Sequence, residues 1–313
     1  MPKIKTINDF INAAHTALAA AFPECRVETV NATKNNNVHL TGLTVYPQNK
    51  KVAPTIYLEP YFDALQSGQP FATVINQIIN SCMNALSCSE NDIDVGNITD
   101  FEQMKQKICY KLINTRMNSE LLSTVPHRDY LDLAIVYYIP FSLTDNGLAT
   151  ITVTDGLTHI WGTNEETLYN LACSNTPRLN RGIVLTLSDT LSGCTNTPQV
   201  RNIQVYDGYD FSTGPADILP MYIATNTTKT YGAAVILNDG LLKDVAEYIC
   251  SSGVYAIPSS VHEFICIPDT FGNVEYIKQM VRDINSSEVQ PDEVLSDNIY
   301  HYDVTIRELK VIS

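Results

Sequence analysis

The chain has 313 residues, of which 44% are hydrophobic and 17% charged, and it carries a formal net charge of -14. Apolar content at that level supports a core and excludes wholesale disorder. The acidic excess excludes a general binder of nucleic-acid backbone, which needs clustered Lys and Arg to displace counterions.

Length allows one large domain or two. The charge is uneven, since residues 244–308 hold 12 Asp and Glu against 3 Lys and Arg. An acidic surface of this kind confers solubility, meets a basic partner or imitates DNA. The eight cysteines are Cys25, Cys82, Cys88, Cys109, Cys173, Cys194, Cys250 and Cys266. None forms a Cys-x-x-Cys pair, and several lie in apolar segments such as Ile265-Cys266-Ile267. That usage points to a reducing compartment rather than a disulfide framework. Cys82 and Cys88 have no His near them in sequence, so neither zinc nor any other cofactor is predicted. The polar start, Met1-Pro2-Lys3-Ile4-Lys5, is unlike a signal peptide, and no apolar run approaches the ~20 residues of a bilayer span. The expectation is a cytoplasmic protein without a membrane segment.

In chain order, Ile7, Phe10, Ile11, Ala14, Leu18 and Phe22 recur at helical spacing behind Thr6, an available N-cap. Residues 27–30 and 38–45 are rich in β-branched side chains and flank Asn35-Asn36-Asn37, which reads as a hairpin. Thr55 to Leu58 extends the sheet by a third strand. Pro70 opens an amphipathic helix carrying Phe71, Val74, Ile75, Ile78, Ile79, Cys82, Met83 and Leu86. Residues 101–106 and 118–124 read as short helices, and Ile108 to Ile113 as a strand.

Leu131 to Phe141 is almost wholly apolar and reads as a strand buried on both faces. Asp145-Asn146-Gly147 turns it into an antiparallel neighbour at Ala149 to Val153. Thr163 and Glu166 have capping-box spacing for a helix reaching about Asn175. Between Thr176 and Asp217 glycines and prolines punctuate short strand-like pieces such as Ile183-Val184-Leu185. Beyond it lie strands at 219–225, 253–257 and 263–267, a helix at 241–250, and a helix capped by Asn273 with Val274, Ile277, Val281 and Ile284 on one face. Residues 231–237 fit a strand or a helix equally. Residues 298–302 and 308–312 close the chain as a hairpin.

These elements predict an α+β fold with mixed, mainly antiparallel sheets and packed amphipathic helices. The organisation read from them is an N-terminal α+β lobe at 1–179, a loop-rich connecting excursion at 180–217 and a C-terminal α+β lobe at 218–313. Val125-Pro126-His127-Arg128-Asp129 echoes Ile257-Pro258-Ser259-Ser260-Val261-His262-Glu263, each followed by an apolar strand. Two related lobes would account for the echo, and so would chance.

Several segments resemble a family of uncharacterised proteins common in anaerobic Gram-positive gut bacteria and known only as a domain of unknown function. They are Tyr110 to Asn114, Val125 to Arg128, Leu131 to Tyr138, Asn175 to Leu179, Gly232 to Ala234, Pro258 to Glu263 and Glu293 to Asp297. A more distant likeness is to the YtpQ family, through the strand pattern and Trp161 ahead of Thr163 and Glu166. The resemblance implies a coherent fold in a bacterial cytoplasm and brings no activity with it.

Chemistry, if any, is sought where imidazole and carboxylate are close in sequence. His127 and Asp129 are two apart, so an extended backbone points both to one side. His262-Glu263 is the second pair, and His301-Tyr302-Asp303 repeats the first spacing. A carboxylate can orient a His as a general base or complete a metal site; a His at the start of a strand also simply bonds locally. The catalytic candidates are therefore His127, Asp129, His262 and Glu263. Known signatures are missing: there is no phosphate loop, no second His for a zinc-protease helix, and no Ser-x-x-Lys ahead of Ser296-Asp297-Asn298. Tyr206, Asp207, Tyr209 and Asp210 form a tyrosine-bearing acidic segment suited to a protein interface. Three readings stay open: a non-enzymatic protein-interaction module, a hydrolase or metal-dependent enzyme using the His–carboxylate pairs, and an acidic DNA-mimic inhibitor.

Overall fold

The computed structural model describes residues 4–48, 53, 55–88, 97–144, 147–187, 190, 203–206, 209–212, 220–238 and 240–312. Its contacts gather residues 1–34 and 38–95 into one compact unit and residues 35–37 and 96–313 into another. No described helix is long and apolar enough to cross a membrane.

In the first unit, Thr6 starts helix α1 (Ile7–Ala21) through a reciprocal pair of bonds. Its hydroxyl accepts from the Asp9 N–H, and the Asp9 carboxylate accepts from the Thr6 N–H, both at 3.1 Å. Strands β1 (Arg26–Thr33), β2 (His39–Tyr46) and β3 (Thr55–Tyr57) form an antiparallel sheet in that order. Two further helices follow, α2 (Glu59–Gln66) and α3 (Phe71–Cys88). Phe10, Leu18, Leu43, Leu58, Val74, Ile78 and Cys82 make one buried cluster, so the apolar stripes of α1 and α3 close on the inner face of β2.

The second unit opens with α4 (Phe101–Met104), β4 (Cys109–Asn114), α5 (Ser119–Leu122), β5 (His127–Tyr130), β6 (Leu133–Thr144) and β7 (Gly147–Thr152). β6 pairs antiparallel with the other three strands. Its odd residues Leu133, Ile135, Tyr137 and Ile139 enter the main core, while Ala134 and Val136 join Ile113, Leu122 and Val125 on the opposite face. That double burial is what its unbroken apolar run predicts.

Next come α6 (Asp155–Trp161), α7 (Glu165–Leu179), β8 (Gly182–Thr186), β9 (Ile203–Tyr206), β10 (Tyr209–Ser212), β11 (Tyr222–Asn226) and a 3₁₀ helix at Gly232–Leu237. The chain ends with α8 (Leu241–Tyr248), β12 (Gly253–Ser260), β13 (Glu263–Pro268), α9 (Val274–Ser287), β14 (Ile299–Asp303) and β15 (Glu308–Ile312). Strands β8 to β15 form one sheet in the order β15-β14-β12-β13-β11-β8-β10-β9, antiparallel except where β10 runs alongside β8. Phe264, Tyr222, Tyr300 and Val254 on one face share the main core with β4, β6, α7 and α8. Tyr255, Ile257, Ile267 and Ile299 on the other face pack under α9.

The fold is α+β with mainly antiparallel sheets, as the sequence predicts. Its compact units divide at Gly96, away from the divisions at 179/180 and 217/218 read from the sequence. β8, inside 180–217, pairs with β11, beyond it. Two local details also differ, and one segment left open between strand and helix takes one of its two forms. Helix α7 begins at Glu165 because the Asn164 side chain, not that of Thr163, accepts the Thr167 N–H at 3.0 Å. On α9, Ile284 is 43% exposed and Asn285 takes the buried place, donating to the Ser296 carbonyl. Residues 232–237 are helical. The turn Asp145-Asn146 lies outside the described residues.

Burial of thiols and phenols gives this core an alkaline limit. Desolvation raises the Cys266 thiol from 9.0 to about 12 and that of Cys109 to about 11, and it pushes the Tyr138 and Tyr300 hydroxyls far above the usual phenol range. Above pH 9 the unfolded chain releases these protons first, so it binds fewer than the native state and stability falls with pH. Urea denaturation should show full stability below pH 9 and a steady loss between pH 9 and 11. Cys266→Ala, which removes one such group, should flatten that slope; an unchanged slope would show that thiol burial is not its cause.

Candidate functional site

Two polar constellations stand out in the second unit. The first is assembled on the loop between β11 and the 3₁₀ helix. Asn226 organises this loop: its Nδ2 donates to the Thr230 carbonyl at 2.8 Å, and its Oδ1 accepts from the Thr228 hydroxyl at 3.0 Å. Lys229 and Tyr231 are thereby held at φ 52° and 54°, left-handed conformations costly for side chains with a Cβ.

What the strain places is the Tyr231 ring. It stacks on His262, ring centroids 6.0 Å apart at 18°, and meets Tyr138 edge-on at 5.2 Å. The Lys111 ammonium lies 4.2 Å from its centroid. The Tyr231 N–H donates to His262 Nδ1 at 3.1 Å, so Nε2 carries the proton of the neutral imidazole and faces the Glu293 carboxylate at 3.5 Å. The loop approaches the β12–β13 turn so closely that only glycine fits at 232. A Cβ there would lie 2.4 Å from the His262 carbonyl oxygen and 2.8 Å from the Asn226 nitrogen.

The second constellation is an open basin of about 540 Å³ whose walls include Leu122, Val125, His127, Asp155, His159 and Glu165. Its Glu165 wall is fixed. Arg128 donates to both carboxylate oxygens, at 3.1 and 2.9 Å, and lies 3.9 Å over the Tyr169 ring, while the buried Tyr137 hydroxyl donates to Oε1. That two-point pairing raises the Arg128 guanidinium further above its usual range, and burial with the Glu165 bond raises the Tyr137 phenol.

The sequence-predicted residues are thus distributed. His127 and Asp129 project from β5 as exposed side chains, and the His127 Nδ1 lies 3.0 Å from the Val125 carbonyl. His262 takes Glu293 as its carboxylate, not its neighbour Glu263, because Glu263 begins β13 while His262 still belongs to the turn. His301 likewise pairs with Asp269 at 3.2 Å rather than Asp303, which caps the following turn. Among the described residues no hydrogen bond, ion pair or cavity wall joins His127 to His262, and no group of three or more His, Cys, Asp or Glu could hold a metal ion. Ser260 accepts the His262 backbone N–H at 3.0 Å.

Of the tyrosine-bearing segment, Tyr206 ends β9, Tyr209 opens β10, and the two are cross-strand partners. Asp210 faces Arg181 at 2.5 Å; Asp207 lies outside the described residues. Sequence reasoning missed Lys111, Tyr231, Glu293, His159 and Glu165. Lys111 alone left a signal, being the single charge in the apolar strand Cys109 to Asn114.

The close approach at Gly232 sets a test. Gly232→Ala should cost about 2–4 kcal/mol, since backbone must move to admit the methyl. Gly240→Ala, whose added Cβ has its nearest atoms at 3.6 and 3.8 Å, should change stability by less than about 1 kcal/mol. Denaturant midpoints of the two variants decide it, and equal values would refute the steric account.

No curated protein and no solved structure matches the chain. A family model described as a family of unknown function, DUF5688, matches residues 7–304, nearly the whole length, and the chain belongs to that family.

Proposed function

We propose that this chain is a non-enzymatic interaction module of the bacterial cytoplasm that docks a basic segment of another protein in the basin beside His127. The observation that carries the reading is the basin itself. Its ~540 Å³ suits a few side chains, and its apolar floor at Leu122 and Val125 is buried. Its rim carries an exposed carboxylate at Asp155 that makes no ion pair among the described residues, while Glu165 is already neutralised by Arg128. A net charge of -14 favours a basic partner. The free thiols Cys25, Cys82, Cys109, Cys173, Cys250 and Cys266 support a reducing setting.

The other readings draw less support. Among the candidate residues a nucleophile–base pair would need a hydroxyl on the His262 or His127 ring, whereas Ser260 and both rings are engaged with backbone. The one hydroxyl–imidazole contact among the described residues, Thr33 with His39, is exposed and involves no candidate residue. A DNA mimic would need carboxylates arrayed toward solvent. In the acidic C-terminal region Asp269 and Glu293 are turned to His301 and His262, while the exposed Glu275 and Glu308 pair with Lys278 and Lys310, so part of the carboxylate set is spent on neighbouring cations.

Titration of the protein with Lys/Arg-rich peptides and their Asp/Glu-substituted twins, followed by calorimetry, tests the proposal. Saturable binding of basic peptides alone is expected, weakening roughly tenfold or more with Asp155→Lys. Absence of saturable binding, or binding indifferent to Asp155, would overturn it.

A further inference from the structure

We propose that docking in the basin is gated by protons: with His127 and His159 neutral it accepts a basic segment, and with both rings charged it turns one away. This rests on the docking reading above and adds its regulation. His127 on β5 and His159 on α6 are both exposed, and both wall the basin together with Asp155 and Glu165. The His–carboxylate ion pairs among the described residues belong to His262 and His301. His127 and His159 therefore line the basin with no carboxylate holding either ring.

The balance of charge follows from those walls. Arg128 and the Tyr137 hydroxyl are both turned to Glu165, so Asp155 supplies the basin's net charge while the imidazoles are neutral. Two imidazolium rings outnumber one carboxylate and reverse the sign. An imidazole ordinarily changes charge between about pH 5 and 8, where carboxylates, lysines and arginines in general keep theirs. His159 has a second effect. It follows Asp155 by four residues on α6, one turn on along the same face. Once charged, it competes with the incoming cation for that carboxylate, in the acid-before-base order that favours pairing on a helix. His127 lies opposite Val136 of β6, which brings no charge to it. The exposed Glu120 of α5, Asp129 of β5 and Glu166 of α7 stand outside the basin's walls and add a background common to both states.

The probe is an arginine-rich peptide, whose own charge is constant over the range. By calorimetry its affinity should fall roughly tenfold or more from about pH 7.5 to about pH 5.5. Binding at about pH 6.5 should also release protons, seen as a heat that changes with the ionisation enthalpy of the buffer. In His127→Gln/His159→Gln protein, which keeps His15, His39, His262 and His301, the fold-change between the two pH values should shrink to about threefold or less. Proton release needs no variant, so the idea stands or falls even where the variant does not fold or bind. Asp155-dependent binding at the higher pH, with equal affinity at the lower one and no protons released, would overturn the gate and leave the docking reading intact. Absence of binding at either pH would remove the docking reading and the gate with it. An undiminished fold-change in the folded variant would overturn the assignment to His127 and His159.

Discussion

The second unit depends on one close approach of backbone to backbone, where Gly232 lies against the carbonyl of His262. Around it the polar groups of the β12–β13 turn are all accounted for. The Val261 carbonyl accepts from Ala233 N–H, the Val261 N–H donates to the Glu293 carbonyl, and the His262 carbonyl accepts from the Thr225 hydroxyl. Buried backbone groups left unpaired would cost as much as a lost hydrogen bond each. The turn, the 3₁₀ helix and the segment before β14 are therefore held as a set.

The same accounting applies to the hairpin between β5 and β6. Asp132 accepts from Ser296, Asn298 and Tyr300, at 2.7, 2.9 and 2.7 Å, and the Asn114 amide donates to the Leu295 carbonyl. The segment 293–300 thus satisfies both two-residue hairpin turns, Leu131-Asp132 and Val261-His262. In the first hairpin it is Asp132, not His127, that stands where His262 stands in the second. His127 comes four residues ahead of its turn. The sequence echo of two His-bearing motifs therefore does not place its histidines at equivalent positions.

Elements with strong local signals were legible. Thr6 with Asp9, the asparagine turn at 35–37, the stripe behind Pro70 and the two-faced run of β6 each carry their structure in a few adjacent residues. The obscure ones were settled by distant partners. Helix α6 is short and carries the polar run Asp155-Gly156, and it is held by Thr154 and by the Trp161 indole donating to the Ile98 carbonyl. Residues 232–237 are apolar enough for a strand, yet Gly232 and Ala233 must lie flat against the β12–β13 turn, which a coiled 3₁₀ turn permits. Ile284 looked like core because its spacing is helical, but spacing does not say how wide the covered stripe is.

Site residues were the hardest to read, for a reason that is general to sheets. A His and a carboxylate adjacent in sequence are separated by the pleat or by a turn, whereas strands brought together from afar place side chains directly opposite one another. Both His–carboxylate ion pairs among the described residues instead join a turn or strand to a loop far along the chain: His262 with Glu293 and His301 with Asp269 are 31 and 32 residues apart. Once its carboxylate comes from a separate segment, an imidazole fastens that segment. His262, wedged between Tyr231 and Glu293, is placed to fasten. His127, exposed at the basin rim, has Val125 as its ring's one partner among the described residues and is placed to meet something from outside.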